Sequence, residues 1–194
     1  MLFGDTYFIG NNGTEISIRQ TTVFNGFIYA ATIEGIRKAD IANKNLIGFN
    51  QWSQIVSGSW SSIEAFGNVL IAINSSGYIH KYNSGSNSFT GYLQLPQAAV
   101  DMRMAENYLI ITTSSSVSIY NKQMALVRQI NSSQITENSV SFTCATSIED
   151  KIYISFPPED VLEHTTLACV NDKHFILLWD NSEDEFAKAI QDKF

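Results

Sequence analysis

The sequence predicts an all-β fold of the propeller class: a β-propeller-like array of about four four-stranded antiparallel blades, followed by a short C-terminal α-helix. Three observations lead there. Apolar runs of strand-forming residues recur as Phe27–Thr32 (FIYAAT), Val69–Ile73 (VLIAI), Tyr108–Thr113 (YLIITT) and Lys151–Phe156 (KIYISF). Each follows a tight polar turn: Asn25-Gly26, Gly67-Asn68, Glu106-Asn107 and Glu149-Asp150. The runs begin at positions 27, 69, 108 and 151, so the spacings are 42, 39 and 43 residues. A period of that length with several strands per unit is the signature of propeller blades.

Taken in order, residues 1–18 read as a partial blade. Thr6–Ile9 and Thr14–Ile18 flank the turn Gly10-Asn11-Asn12-Gly13, which predicts a hairpin. The blades occupy 19–166. The first has strands at Thr21–Phe24, Phe27–Thr32, Ile36–Asp40 and Trp52–Val56. The second has Ser62–Phe66, Val69–Ile73, Tyr78–Tyr82 and Phe89–Leu93, with turns rich in Asn, Ser and Gly. The third has Ala99–Met104, Tyr108–Thr113, Val117–Tyr120 and Met124–Ile130. The fourth opens with Val140–Ser147 and Lys151–Phe156. Pro157-Pro158 then interrupts the ladder. Residues 167–194 read as a hairpin around Asn171-Asp172 and an amphipathic helix. Ser182 and Glu185 form a capping box, and Phe186, Ile190 and Phe194 share one face. The truncated start makes four units read as part of a larger propeller. An open array leaves two edge strands, and with them a route to edge-strand self-association.

Composition limits the function. Of 194 residues, 44% are apolar, enough for a sizeable core. The formal net charge of −7 argues against a nucleic-acid partner, which needs clustered Lys and Arg. Residues after Met1 lack the basic start and apolar core of a signal peptide, and no stretch approaches the length of a membrane span. Two cysteines are too few for a disulfide framework, and Cys144, in an apolar run, reads as a buried free thiol.

The stretch Ile28–Ile41 (IYAATIEGIRKADI) resembles the blade signature of two-component-regulator-type propellers. Its continuation Asn45–Trp52 (NLIGFNQW) is similar to the N-terminal propeller of the PorZ-like family of the Bacteroidetes type IX secretion system. The likeness spans about Thr21–Phe156. It implies a surface component of a secretion or attachment complex, in the periplasm or at the outer-membrane surface. Its partners would be proteins of that complex or an anionic glycan such as lipopolysaccharide. The family's signal, most of its blades and its sorting domain have no counterpart in this sequence, and residues 167–194 match nothing in the family.

No residue pattern points to catalysis, and we expect no enzyme, no cofactor and no metal. His164, Cys169 and His174 are five apart, one ligand short of a zinc site. His80 reads as a hydrogen-bonded strand histidine beside Tyr78 and Tyr82. There is neither a GxSxG elbow nor a phosphate loop. Binding is the better expectation, and three residues are its candidates. Trp60, in the polar stretch Ser57–Ser62, is the aromatic we expect to be most accessible. Arg37 extends from the recurring Gly turn toward an anionic group or solvent. Trp52 lies in the family-like stretch. Two other functions stay open: the ligand-sensing ectodomain of a two-component regulator, and a glycan-active propeller enzyme built on a carboxylate pair.

Overall fold

The computed structural model describes residues 8–43, 45–105, 107–135, 140–148, 151–156, 166–170 and 175–177, the last two stretches as backbone only. These form four sheets of four strands, each an antiparallel meander in chain order. The first holds β1 (Ile18–Phe24), β2 (Phe27–Thr32), β3 (Gly35–Asp40) and β4 (Ser53–Ser57). The second holds β5 (Trp60–Phe66), β6 (Val69–Asn74), β7 (Tyr78–Asn83) and β8 (Ser88–Gln94). The third holds β9 (Ala99–Ala105), β10 (Tyr108–Thr113), β11 (Ser116–Tyr120) and β12 (Leu126–Asn131). The fourth holds β13 (Cys144–Ile148), β14 (Lys151–Phe156), β15 (Thr166–Val170) and β16 (Phe175–Leu177). The chain divides into two compact units, 1–99 and 100–194.

The four residues that set the repeat, Phe27, Val69, Tyr108 and Lys151, are the first residues of β2, β6, β10 and β14. Each is the second strand of its sheet. These strands are buried on both faces, which is why their sequences are continuous apolar runs instead of alternating ones. In the first unit, Tyr29, Ala31 and Ile36 pack against Ile63, Leu70 and Ala72 of the neighbouring sheet. In the second, Ile110, Val117 and Ile119 share a core with Phe142, Ala145, Ile154 and Phe156.

In the first three sheets the turn from second to third strand is closed by the last side chain of the second strand. Thr32 Oγ1 donates to Gly35 O at 2.7 Å and accepts from Gly35 N at 3.0 Å. Thr113 Oγ1 does the same with Ser116, at 3.2 and 3.0 Å. At the equivalent place Asn74 Oδ1 accepts from Ser76 N at 3.1 Å and Tyr78 N at 2.9 Å. The fourth strands carry a different repeated device. The registers β3–β4, β7–β8 and β11–β12 each slip by one residue, leaving Ile55, Tyr92 and Val127 as extra residues in the outer strand. Such bulges twist an edge away from further pairing. They work against self-association through these outer edges.

The structure departs from the sequence reading at both ends. Residues 8–17 contain no strand. They make a 3-10 turn at Asn11–Gly13, with Asn12 at φ 57° and Gly13 at φ 78°. This segment covers one face of the first sheet, where Ile9 and Ile16 pack on Ala30 and Trp52. The apolar alternation therefore marked a covering segment, not half of a hairpin. At the other end, β15 pairs with β14, so the expected separate hairpin completes the fourth sheet. The expected C-terminal helix, Pro157-Pro158, His164, His174 and Trp179 lie outside the described residues.

Candidate functional site

Trp60 is 4% exposed, which corrects the expectation that it is accessible. It is the first residue of β5, and its indole Nε1 donates to Ser57 O at 3.0 Å. With its one polar atom satisfied, the ring can be buried. It lies edge-on to His80 (4.8 Å between centroids) and tilted on Phe89 (5.6 Å). Polar neighbours in sequence said nothing about the strands that fold over it. Seven rings run on from this point: Tyr78, His80, Trp60, Phe89, Tyr82, Tyr29 and Phe24. Burial, aided by a hydrogen bond to Tyr82, holds the Tyr29 hydroxyl well above its usual pKa. His80 is not the hydrogen-bonded strand histidine expected. Both ring nitrogens are buried without a partner, and burial lowers its pKa. Cys144 is free, as read, but half-buried.

Arg37 is likewise no solvated strand end. It is 3% exposed, on the face of β3 beneath the covering segment. Its Nη2 donates to Asn11 Oδ1 at 3.0 Å and stands 3.8 Å from the half-exposed Glu34 carboxylate. Lys38, one residue on, points to the other face. There its ammonium sits 3.9 Å above the Phe27 ring and 3.4 Å from both Tyr82 Oη and Asn87 Oδ1. The alternation along β3 separates these two cations, and neither offers an open anion receptor.

Trp52 is the candidate that leads to a surface. It is half-buried against Ile9, Ile16 and Ala30, and its Nε1 donates to Leu46 O at 2.8 Å. It closes the long loop between β3 and β4, which is wired by its own hydrogen bonds. Gly48 N donates to Asn45 O, Gln51 N to Gly48 O, and Asn43 Nδ2 to Gln51 Oε1. A 3-10 turn at Phe49–Gln51 sets Phe49 against Gly13, where an added Cβ would stand 3.1 Å from the ring. The loop thus holds Ile47 and Phe49 outward, 47% and 43% exposed. Lys44 is the sole charged residue between positions 41 and 59. A fixed, charge-poor loop presenting large apolar side chains has the composition of an interface core. Sequence reading singled out this stretch but not Ile47 or Phe49, since exposure depends on where the loop docks. A second concavity, of about 270 Å³, lies between Ser57–Trp60 and Asn74–Ser76. Its hydroxyls are partly consumed in one another, with Ser59 Oγ and Ser75 Oγ 2.6 Å apart.

Similarity to solved structures is widespread and confined to shape. The AfRom2 CNH domain matches 97% of this chain at a TM-score of 0.63 and 9% identity, and this chain spans 63% of it. The WD40 repeats of RRP9 match 85% at 0.61 and 11%, over 52% of that chain. The fold is that of a β-propeller. PorZ, a surface component of the type IX secretion system of Porphyromonas gingivalis, matches 87% of the chain at a TM-score of 0.60 and 10% identity. This chain spans 22% of PorZ, and 43–44% of several other propeller structures it matches. No protein-family model matches the sequence, and no curated protein matches it. The likeness establishes propeller architecture. Among the described residues no helix is long and apolar enough to cross a membrane, and no three His, Cys, Asp or Glu side chains gather as metal ligands.

Proposed function

We propose that this propeller is a non-catalytic interaction scaffold that binds a protein partner through the β3–β4 loop. The observation that carries it is the exposure of Ile47 and Phe49 on a charge-poor loop fixed by Trp52. Apolar side chains held rigidly lose little entropy on docking, which favours binding through a few anchors. The absence of catalysis is supported by His80, whose nitrogens no substrate reaches. Trp52 acts from beneath, holding the surface in place. In its finer form, the reading makes the chain a PorZ-like component of a secretion assembly at the periplasmic or outer-membrane surface. The sequence likeness at Ile28–Trp52 and the shared architecture support that form.

The test is site-specific photo-crosslinking in the source cells. A photoreactive phenylalanine at position 49 is expected to give one discrete adduct, lost when Ile47→Ser is added. The same probe at exposed Thr90 is expected to give none. Equal adducts at both positions, or none at position 49, would defeat the proposal.

A further inference from the structure

Asn-Gly occurs twice in the chain, at Asn12-Gly13 and Asn25-Gly26. The pair carries a chemistry of its own. The amide nitrogen of the following residue can attack the Asn carboxamide carbon, and glycine has no Cβ to shield that nitrogen. Both asparagines are exposed, both hold positive φ (57° and 48°), and neither carboxamide hydrogen-bonds to a described residue. What separates them is the backbone around them.

Asn25-Gly26 is the two-residue link of a paired hairpin. Phe24 faces Phe27 on either side of it, and the ladder runs on to Thr22 and Tyr29. Gly26 O also accepts from Ile41 N at 3.0 Å, which ties the turn to the residue after β3. Asn12-Gly13 lies in no ladder. Its turn is held by Gly13 N donating to Gly10 O at 3.1 Å, Thr14 N to Asn11 O at 3.2 Å and Gly10 N to Thr14 O at 3.0 Å. Attack requires Asn12 Cβ and Gly13 N to eclipse about the Cα–C bond, and at ψ 26° they stand on opposite sides of it. The folded turn must therefore open before it reacts. Opening costs these few hydrogen bonds at Asn12, and part of a sheet at Asn25.

We propose that Asn12 is a site of spontaneous deamidation. Gly13 N bonds to Asn12 Cγ, the Cγ–Nδ2 bond breaks, and ammonia leaves with the amide proton. Water then opens the five-membered imide at either carbonyl, giving aspartate or isoaspartate. Isoaspartate places the Cβ in the main chain, which becomes one carbon longer between Asn11 and Gly13. Both neighbours hold the covering segment to the first sheet. Asn11 Oδ1 accepts from Arg37 Nη2, and Gly13 lies against the Phe49 ring. The added carbon shifts the second contact against the first. The modified turn loosens Phe49 and with it the β3–β4 loop, whether or not that loop binds a partner.

The full chain is held in mildly alkaline buffer, which promotes loss of the amide proton. It is then mapped by mass spectrometry with fragmentation that separates isoaspartate from aspartate. In the folded chain, conversion is expected to be about tenfold faster at Asn12 than at Asn25, and in urea the two sites are expected to react alike. Equal folded rates, or a faster Asn25, overturn the proposal. So does a difference of the same size in urea, which belongs to the neighbouring residues and not to the fold. The consequence is read by hydrogen exchange on the chromatographically separated isoaspartate form. Its Gln51 and Trp52 amides, which donate to the Gly48 and Phe49 carbonyls, are expected to exchange faster than those of the fresh chain. Asn12→Gly keeps a residue suited to positive φ and removes the reacting group. After the same incubation its loop is expected to keep its exchange rates. A loop unchanged in the isoaspartate form, or loosened equally in aged Asn12→Gly, overturns the effect on Phe49.

Discussion

At the scale of single residues, Trp60 and His80 show that an aromatic's role is set by what folds over it. Trp60→Ala would empty a site walled by His80 and Phe89, and the expected loss is about 3–5 kcal/mol of unfolding free energy in urea titration. A loss below about 1 kcal/mol would mean that the ring is not core. His80 makes stability depend on pH. Burial lowers its folded pKa below the ordinary value of 6.5, so the native state favours the neutral ring. The unfolded chain then binds more protons over that window, and stability rises with pH. The contribution is complete above the unfolded pKa and is lost as pH falls from there toward the depressed folded value. The urea midpoint is expected to be lower at about pH 5.5 than at about pH 7.5, with that difference reduced in His80→Phe. An unchanged difference in His80→Phe would assign the pH dependence to other groups. Neither role was legible beforehand. Ser57–Ser62 is polar around Trp60, and the residues that bury the ring come from β7 and β8. Alternation put Tyr78 and His80 on one face, but it could not show that no acceptor waits there.

Elements were far more legible than sites, because strands are written in local chemistry. The runs Phe27–Thr32, Tyr108–Thr113 and Lys151–Phe156 have the same bounds in sequence and structure. Their ends are fixed by side chains that close turns and by glycines that admit a neighbouring strand. Both signals are readable. Bulges were not, since the extra residue at Ile55, Tyr92 or Val127 shows only once the partner's register is known. Nor was the covering segment, whose alternation imitates a strand. Two predictions belong to this scale. Thr32→Val keeps the shape but removes an oxygen that donates once and accepts from both Glu34 N and Gly35 N. It is expected to cost about 1–3 kcal/mol, because buried backbone groups lose their partner. Gly35→Ala places a Cβ 2.3 Å from Val56 O, a backbone atom that moves only if β4 moves. Loss of protection in β4 amides by hydrogen exchange is the expected outcome, and an unperturbed β4 would show that the close approach is relaxed in solution.

For the whole molecule, the repeat is also a gradient of protection. In the first three sheets the second strand is buried on both faces, while the fourth is a bulged edge open to water. β2, β6 and β10 have at most two residues short of full burial, whereas β4 and β8 have none fully buried and β12 has one. Local opening frees amides in proportion to how little apolar contact holds a strand down. Native-state hydrogen exchange should therefore read the period directly from N- to C-terminus. The slowest amides are expected in β2, β6 and β10, and the fastest strand amides in β4, β8 and β12. The first strands are not alike: β1 has one fully buried residue and β9 two, against four in β5. Amides of β1 and β9 are therefore expected to exchange faster than those of β5, and equal rates in the three strands would mean that burial of the strand does not set the gradient.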